Sequence, residues 1–243
     1  MKAPLVVDGM LVNYPGSKTA TGVMHQILNQ MPRHFTYIEP FVGTGAVLMA
    51  KRRAGHSIVL DANPMVVEYW KSIPWVDANM GDAVQWLDVM RARLDSDGVL
   101  IYADPPYLGT ERTGNLYAYE LQSDEDHRRL LRVLRRYKKA QIMLSGYMSK
   151  LYTEELKGWR VVSYKASTRG GVREEFLWMN FPEGLPLHDC SLAGQDYRER
   201  EIIKRKRDRW ASKFAKLPAL QRQVIREALE DVEAGLAAPG NGG

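Results

Sequence analysis

Short apolar runs alternate with helical patterns through the middle of the chain. Four of these runs have the composition of buried strands: 35–38, 57–60, 99–103 and 141–146. Apolar residues at helical spacing lie between them, over 46–52, 83–93 and 124–137. Ser123 precedes the last of these helices and Asp126 follows three residues later, a variant of the capping box. Strands that alternate with helices predict an α/β fold with a mostly parallel sheet.

The sheet is predicted to end in a hairpin. Residues 159–166 and 173–180 form two more β-prone runs, and the short segment Ser167-Thr168-Arg169-Gly170-Gly171 joins them. A connection this short cannot cross over between parallel strands, so the last strand is expected to be antiparallel.

The chain changes character after Pro186. Four segments are predicted: a main domain over 1–186, a linker over 187–195, a helical hairpin over 196–236 and a disordered tail over 237–243. Residues 196–216 carry nine Lys or Arg against four acids, a net charge of +5 that equals the +5 of the whole chain. Basic charge is therefore concentrated in the first helix of the hairpin.

This basic helix is a candidate contact to the DNA backbone, because phosphate neutralisation supplies affinity without sequence information. The candidate residues are Lys204, Arg205, Lys206 and Arg207. Two other interpretations remain open. The helix is also typical of a solvated amphipathic helix that packs on its partner, and the hairpin could pair with a second copy of the chain.

Composition excludes several classes of protein. The chain has 243 residues, of which 45% are hydrophobic, and no apolar run approaches the ~20 residues of a membrane span. The single cysteine, Cys190, and the five histidines show no metal-ligand spacing. We therefore expect a cytoplasmic protein with no metal and no membrane partner.

A glycine loop follows the first β-prone run. Glu39-Pro40-Phe41-Val42-Gly43-Thr44-Gly45 lies between that strand and a helix, the arrangement that opens a nucleotide-binding unit. An acid before the loop would repel a pyrophosphate but suits a cationic amino-acid group, so S-adenosylmethionine fits better than NAD. Asp61 ends the next strand, where such units place an acid on ribose hydroxyls. Asp82 is expected to cap its helix or to lie near the adenine ring.

Asp104-Pro105-Pro106-Tyr107 comes directly after the apolar run 99–103. The two prolines stiffen the backbone and would hold the Asp104 carboxylate and the Pro105 carbonyl side by side. Two such acceptors suit the two donors of an exocyclic amine, while Tyr107 stacks on the ring. By itself the tetrapeptide is equally typical of an ordinary turn with a packing tyrosine.

Four motifs in order resemble the class of DNA adenine methyltransferases that includes the DNA adenine methylases. They are Asn13-Tyr14-Pro15-Gly16-Ser17-Lys18, the loop 39–45, Asp61 and the tetrapeptide 104–107. The resemblance covers roughly residues 10 to 181. It implies a Rossmann-like S-adenosylmethionine-dependent methyltransferase fold for the main domain.

The resemblance also implies roles for individual residues. Tyr14, Gly16 and Lys18 would close over the cofactor, in a segment where the family has Trp-Ala-Gly-Gly-Lys. The residues around the methionine part would be Glu39, Pro40, Phe41, Gly43 and Gly45. Asp61 would bind the ribose, and residues 104–107 would hold the target adenine.

The chain departs from the long members of this class. Their large target-recognition segment lies between the glycine loop and the Asp-Pro-Pro-Tyr motif, and here that interval is short. The chain therefore resembles the short versions of phages and prophages. Arg112 in the loop 108–120, together with Arg169 and Arg173 of the hairpin, are candidate DNA contacts, although an ordinary loop and a solvated hairpin explain them as well.

The predicted activity is methyl transfer from S-adenosyl-L-methionine to the N6 amine of adenine in double-stranded DNA, with the base flipped out of the helix. Alternatives are an RNA adenine or the exocyclic amine of cytosine, and a non-catalytic DNA-binding regulator on the same fold. A protein-glutamine methyltransferase is disfavoured because that class usually has Asn where this chain has Asp104. We expect a monomer or weak homodimer, and the sequence leaves open a cognate restriction enzyme.

Overall fold

The computed structural model describes residues 5–7, 10–12, 21–107, 123–168, 171–194 and 196–235. Several predicted site residues lie outside the described residues: Tyr14, Gly16, Lys18, Arg112 and Arg169. The same holds for loop 108–120 and the tail 237–243. Their predicted roles therefore stay predictions.

The described elements alternate between strands and helices. The strands are β1 (Leu5–Val7), β2 (Met10–Val12), β3 (Thr36–Glu39), β4 (His56–Asp61), β5 (Asp77–Met80), β6 (Val99–Ala103), β7 (Gln141–Gly146), β8 (Arg160–Thr168) and β9 (Gly171–Met179). The helices are α1 (Thr21–Leu28), α2 (Ala46–Ala50), α3 (Pro64–Lys71), α4 (Ala83–Leu94), α5 (Asp124–Arg135), α6 (Lys150–Glu155), α7 (Tyr197–Ala215) and α8 (Ala219–Glu233).

Seven strands form one sheet in the order β5-β4-β3-β6-β7-β9-β8. All neighbouring pairs from β5 to β7 are parallel, whereas β9 runs antiparallel to both β7 and β8. Strands β1 and β2 pair separately as an antiparallel ribbon. The predicted α/β fold, with a mostly parallel sheet and an antiparallel last strand, is confirmed.

The sheet is buried on both faces. Tyr37 and Leu100 face a core that includes residues of α1, α2 and α3, while the adjacent Ile38 and Ile101 face a core that includes residues of α4, α5 and α6. Alternate residues of a strand point to opposite faces, so each central strand supplies both cores. This double burial explains why the central strands appear in the sequence as continuous apolar runs.

Local capping fixes several helix starts. Ser123 accepts a hydrogen bond from the N–H of Asp126, and the Asp126 carboxylate accepts one from the N–H of Ser123. This reciprocal pair confirms the predicted capping box at α5. Helix α2 is shorter than predicted and ends at Ala50, because Lys51 adopts an extended backbone.

Several described elements were not predicted from the hydrophobic pattern, among them β1, β2, β5, α1 and α6. Strand β5 has the sequence Asp-Ala-Asn-Met, which lacks apolar alternation, and it pairs with β4 at an outer edge of the sheet. Helices α1 and α6 are short, with eight and six residues. Short elements give too few turns for a hydrophobic period to emerge from the sequence.

The chain divides into two compact units between Leu192 and Ala193. The beginning of the predicted linker 187–195 belongs to the first unit, because the N–H of His188 donates to the carbonyl of Met31 and Leu187 bridges to Pro32. The His188 ring also stacks on His34 at 3.8 Å. These contacts extend the first unit beyond the predicted boundary at 186.

The second unit contains α7 and α8. Asp196 caps α7 by accepting a hydrogen bond from the N–H of Glu199. Trp210 and Phe214 stack along α7 with ring centroids 5.4 Å apart. No side chain of either helix is buried, so these helices do not build a core within the part of this unit that the structure describes. Among the described helices of the chain, none is long and apolar enough to cross a membrane.

Candidate active site

Four acids stand at the carboxyl ends of four adjacent parallel strands. Glu39 ends β3 and Asp61 ends β4, while Asp82 and Asp104 follow β5 and β6 closely. Because these strands are neighbours in the order β5-β4-β3-β6, the acids form a row along one edge of the sheet. The chain order reverses between β3 and β6, and such a switch point is where open α/β sheets bind ligands.

Glu39 is buried at the end of β3. The Tyr37 hydroxyl donates to Glu39 Oε2 at 2.8 Å, and Lys51 Nζ lies 4.2 Å from the centroid of the Tyr37 ring. Burial raises the pKa of Glu39 to about 8; the Tyr37 hydrogen bond opposes this shift and Asp104 adds to it. A carboxylate in this position would gain from an approaching cation, which favours its ionised form.

Asp61 supports the glycine loop from the neighbouring strand. The N–H of Gly43 donates to Asp61 Oδ2 at 2.9 Å, and the N–H of Asn63 donates to Oδ1 at 2.8 Å. Each carboxylate oxygen has two lone pairs, so these bonds leave capacity for further donors such as ribose hydroxyls.

The conformation of the loop requires glycine at position 45. Gly45 has φ +60°, and a Cβ added there would lie 2.1 Å from the Trp70 indole. The Trp70 Nε1–H donates to the carbonyl of Gly43 at 3.0 Å, so the same indole holds both glycines of the loop in place. Loop and indole are thus packed as one rigid unit in front of α2.

Asp82 begins α4 by capping it. Its Oδ1 accepts hydrogen bonds from the N–H groups of Val84 and Gln85, at 2.8 and 3.1 Å. Its Oδ2 pairs with Arg129 Nη1 of α5 at 2.9 Å. Capping, one of the two roles expected for Asp82, is therefore present.

A cavity of about 170 Å³ opens beside Asp61 and Asp82. Its lining consists of Pro40, Phe41, Asp61, Ala62, Gly81, Asp82, Ala83, Val84, Asp126 and Arg129. Apolar side chains here could enclose a planar base, and carboxylates could accept hydrogen bonds from sugar hydroxyls. The residues present therefore fit the adenosine part of S-adenosylmethionine.

The Asp104-Pro105-Pro106-Tyr107 motif begins where β6 ends. Asp104 is half-buried and Pro105 is buried. The Tyr107 hydroxyl donates to Glu175 Oε2 of β9 at 2.8 Å, and its ring meets the edge of Tyr147 with centroids 4.5 Å apart. The motif is thus anchored to the antiparallel part of the sheet.

The described candidate DNA contacts lie on exposed surface. Arg173 of β9 is exposed, and its guanidinium carbon lies 5.8 Å from the centroid of the Tyr147 ring, which in turn packs on Tyr107. Lys204, Arg205, Lys206 and Arg207 are all exposed on α7. Among the candidate DNA contacts that the structure describes, Arg173 is the one linked to the Asp-Pro-Pro-Tyr motif, through Tyr147.

Sequence reasoning missed four residues that the structure brings to the site: Trp70, Arg129, Tyr147 and Glu175. Glu175 left a signal, because it is an acid at a buried position of β9, in step with Leu177 and Met179. A charged residue on the inward phase of a strand requires a partner. No sequence pattern indicated Trp70 or Arg129, because each contacts a residue that lies far away in the chain. Among the described residues, no group of three or more His, Cys, Asp or Glu could hold a metal ion.

The strand order, with its switch point between β3 and β6, and the row of acids beside a cavity define a protein of the Rossmann-like α/β class with a ligand site at the carboxyl ends of its strands. A family model narrows this class. The model of the D12 class N6 adenine-specific DNA methyltransferases matches residues 14–82 and 78–168. Because these residues make up more than half of the chain, the protein belongs to this family. It is a DNA adenine methyltransferase that uses S-adenosylmethionine as its methyl donor.

No curated protein matches the sequence. Solved structures with a similar fold include precorrin 8w decarboxylase of Methanobacterium thermoautotrophicum, at 17% identity and TM-score 0.44, covering 74% of this chain and 98% of that chain. Another is precorrin-6y C5,15-methyltransferase of Geobacter metallireducens, at 14% identity and TM-score 0.43, covering 72% of this chain and 95% of that chain. Similarities at this level add nothing to the family assignment.

Proposed function

We propose that this enzyme methylates N6 of an adenine that is rotated out of double-stranded DNA. The observation that carries the proposal is the position of the Asp-Pro-Pro-Tyr motif, which follows β6, the strand next to the Glu39 strand, at the switch point of the sheet. An adenine inside a duplex is paired and stacked, so N6 becomes accessible only when the base leaves the helix, at a cost of roughly a few kcal/mol.

The row of acids supports one orientation of the cofactor. Asp82 and Asp61 line the cavity that fits adenosine, and Glu39 stands on the next strand toward Asp104. With adenosine in the cavity, the Glu39 carboxylate on the next strand would bind the ammonium group of the methionine part. Pro40 and Phe41 line the cavity, and Gly43 and Gly45 shape the loop beside it. When bound, S-adenosylmethionine supplies an electrophilic methyl group.

The Asp-Pro-Pro-Tyr motif orients the target amine. The Asp104 carboxylate and the Pro105 carbonyl accept hydrogen bonds from the two N6 protons, and this directs the nitrogen lone pair to the methyl carbon. Tyr107 stacks on the adenine ring, and Pro106 limits movement of the turn. Methyl transfer would form one N–C bond and break one S–C bond, and the proton that N6 loses would pass to the Asp104 carboxylate.

DNA binding outside the active site is assigned to basic surface. Arg173 is joined to the catalytic motif through Tyr147, which suits contact with a phosphate next to the flipped base. The exposed basic residues 204–207 of α7 would add affinity that does not depend on sequence. Arg112 and Arg169 are proposed for the same function from the sequence alone, as are Tyr14, Gly16 and Lys18 for closing over the cofactor.

The setting proposed from the sequence is the cytoplasm of a bacterium or of a phage-infected cell. Double-stranded DNA and S-adenosylmethionine are both present there, and the chain resembles short phage and prophage members of the class. Its partner is DNA, with the protein acting as a monomer or weak homodimer. A cognate restriction enzyme would make the methylation protective.

Nucleoside mass spectrometry after incubation with S-adenosylmethionine tests this proposal. The substrates are unmethylated duplex DNA and, separately, RNA. We expect N6-methyladenine in DNA from the wild type and none from Asp104→Ala. The matched control is Asp97→Ala, which removes an exposed acid near the opposite end of β6 and should leave activity unchanged.

Each other result selects an alternative. N4-methylcytosine would assign the cytosine amine as target, and product in RNA alone would assign an RNA substrate. No product in either nucleic acid, together with measured binding of S-adenosylmethionine, would overturn the proposed reaction and favour a non-catalytic DNA-binding regulator.

A further inference from the structure

Glu175 is a buried acid of the antiparallel strand β9. It is 5% exposed, and in the register of the sheet it lies opposite Tyr164 of β8. The Tyr107 hydroxyl donates to Glu175 Oε2 at 2.8 Å, and the Tyr164 hydroxyl approaches the same oxygen at 3.4 Å. One carboxylate oxygen therefore receives two phenol groups, one of which belongs to the Asp-Pro-Pro-Tyr motif.

The phenol of Tyr107 is kept in its donor form. Burial raises the pKa of Tyr107 well above its ordinary value, and the Asp104 carboxylate raises it further. A phenol that stays protonated donates its hydrogen to Glu175 at any physiological pH.

This bond fixes an orientation that backbone geometry alone leaves free. The two prolines restrict the backbone of the motif, but the Tyr107 ring can still rotate about its own side-chain bonds. The Tyr147 ring bounds Tyr107 on one side at 4.5 Å and 67°. The bond to Glu175 fixes the position of the hydroxyl and so the direction of the ring axis, while the Tyr147 ring limits rotation about that axis; the two contacts together define the ring plane.

We propose that Glu175 is a positioning residue for methyl transfer, which holds the Tyr107 ring in the plane that stacks on the target adenine. This inference rests on the proposed base-stacking role of Tyr107. A misplaced stacking ring lets the target amine drift from its two acceptors, and small misplacements of a reacting group are costly in rate. Glu175 acts on the rate through Tyr107 and does not touch the base itself.

Steady-state kinetics on duplex DNA provide the test, with four variants. Glu175→Ala removes the acceptor, Glu175→Gln keeps an acceptor oxygen, and Tyr107→Phe removes the donor but keeps the ring. The matched control is Glu174→Ala, because Glu174 is the adjacent, exposed acid of the same strand. We expect kcat to fall roughly tenfold or more in Glu175→Ala and in Tyr107→Phe. Glu175→Gln should recover most of the lost activity, and Glu174→Ala should match the wild type.

Two further readouts separate positioning from a general structural role. The dissociation constant for S-adenosylmethionine should change by less than about threefold in Glu175→Ala, because the cofactor contacts lie on other strands. The double variant Glu175→Ala/Tyr107→Phe should lose no more activity than either single variant, since both changes remove the same bond.

Particular results would overturn the inference. They are losses that multiply in the double variant, a Glu175→Ala enzyme as active as Glu174→Ala, or a loss of cofactor binding that accounts for the loss of rate. Failure of the proposed function is distinguishable, because the wild type itself would then form no N6-methyladenine in DNA.

Discussion

Glu39 combines two requirements that conflict in water-free surroundings. In the role proposed for it, Glu39 lies deep in the site beside the methionine part of the cofactor, and its carboxylate must be ionised to bind the ammonium group. Burial is the largest cause that raises the pKa of Glu39, whereas the Tyr37 hydrogen bond and the nearby Lys51, whose own pKa burial lowers to about 8, oppose the shift. Before the cofactor binds, Glu39 therefore holds its proton far above the ordinary range.

The raised pKa of Glu39 should make the stability of the folded protein depend on pH. Folded Glu39 keeps its proton up to about pH 8, whereas the unfolded chain releases it near 4.5. At this site the folded state thus binds more protons in this window, and the contribution of Glu39 to stability falls as pH rises from 5 to 8, by on the order of 1 kcal/mol per pH unit. Glu39→Gln keeps an acceptor for Tyr37 and lacks the proton, so it should not show this loss.

Thermal unfolding without cofactor at several pH values checks the expectation. The melting temperature of the wild type should fall relative to Glu39→Gln as pH rises through this range. Glu68→Gln on α3 removes an exposed acid and serves as the control. Parallel curves for wild type and Glu39→Gln would show that Glu39 ionises normally.

Asp82 both caps helix α4 and lines the cavity beside Asp61. Asp82 caps the helix with one oxygen and pairs with Arg129 through the other, and both residues line the cavity of about 170 Å³. The ion pair is substantially exposed, with both side chains more than 40% accessible, so it contributes little to stability. The capping bonds are the larger stabilising contribution.

Two substitutions of Asp82 should distinguish its contribution to helix capping from its contribution to cofactor binding. Asp82→Ala removes the acceptor and should lower the free energy of unfolding by about 1 kcal/mol. Asp82→Asn keeps an acceptor oxygen, so its stability should stay near wild type while its affinity for S-adenosylmethionine falls severalfold. Chemical denaturation and calorimetric titration measure the two effects. An Asn variant as unstable as the Ala variant would contradict a capping role.

Elements differ in how far the sequence alone predicts them. Strand β6 is a five-residue apolar run buried at every position, and its bounds 99–103 match the prediction. Strand β5 is polar and no position in it is buried, so its place in the sheet depends on pairing with β4. Pairing energy comes from the backbone, which leaves no pattern of side chains to detect.

At the scale of the whole chain, basic charge and catalytic chemistry belong to different units. The acids of the site lie before Leu192, and the segment with net charge +5 lies after Ala193. Apolar side chains in the second unit are exposed, among them Ile202, Trp210, Val224 and Leu229. Such a surface is available for a partner.

Replacing the four basic residues 204–207 together by uncharged residues should weaken binding to duplex DNA and reduce the salt dependence of that binding. If all four contact phosphates, the slope of log K against log salt should fall by about 3 to 4. Fluorescence anisotropy at several salt concentrations gives the slope. Arg222→Gln/Arg226→Gln, on the exposed surface of α8, is the control and should change the slope less.

An unchanged slope of log K against log salt would contradict a DNA-binding role for α7. Sedimentation of the same variant then tests the rival interpretation, in which the second unit pairs two copies of the chain. Loss of a dimer in the variant, with DNA binding intact, would assign this surface to self-association.

The sequence by itself determined the alternation of strands and helices, the glycine loop and the tetrapeptide 104–107, because these depend on local spacing, backbone restriction and continuous apolar runs. It also identified each of the four acids, but not their order along one sheet edge. Only the tertiary structure decided that order, together with the indole behind Gly45 and the bond from Tyr107 to Glu175. Those contacts join residues far apart in the chain, and strand order brings them together where no local pattern records it.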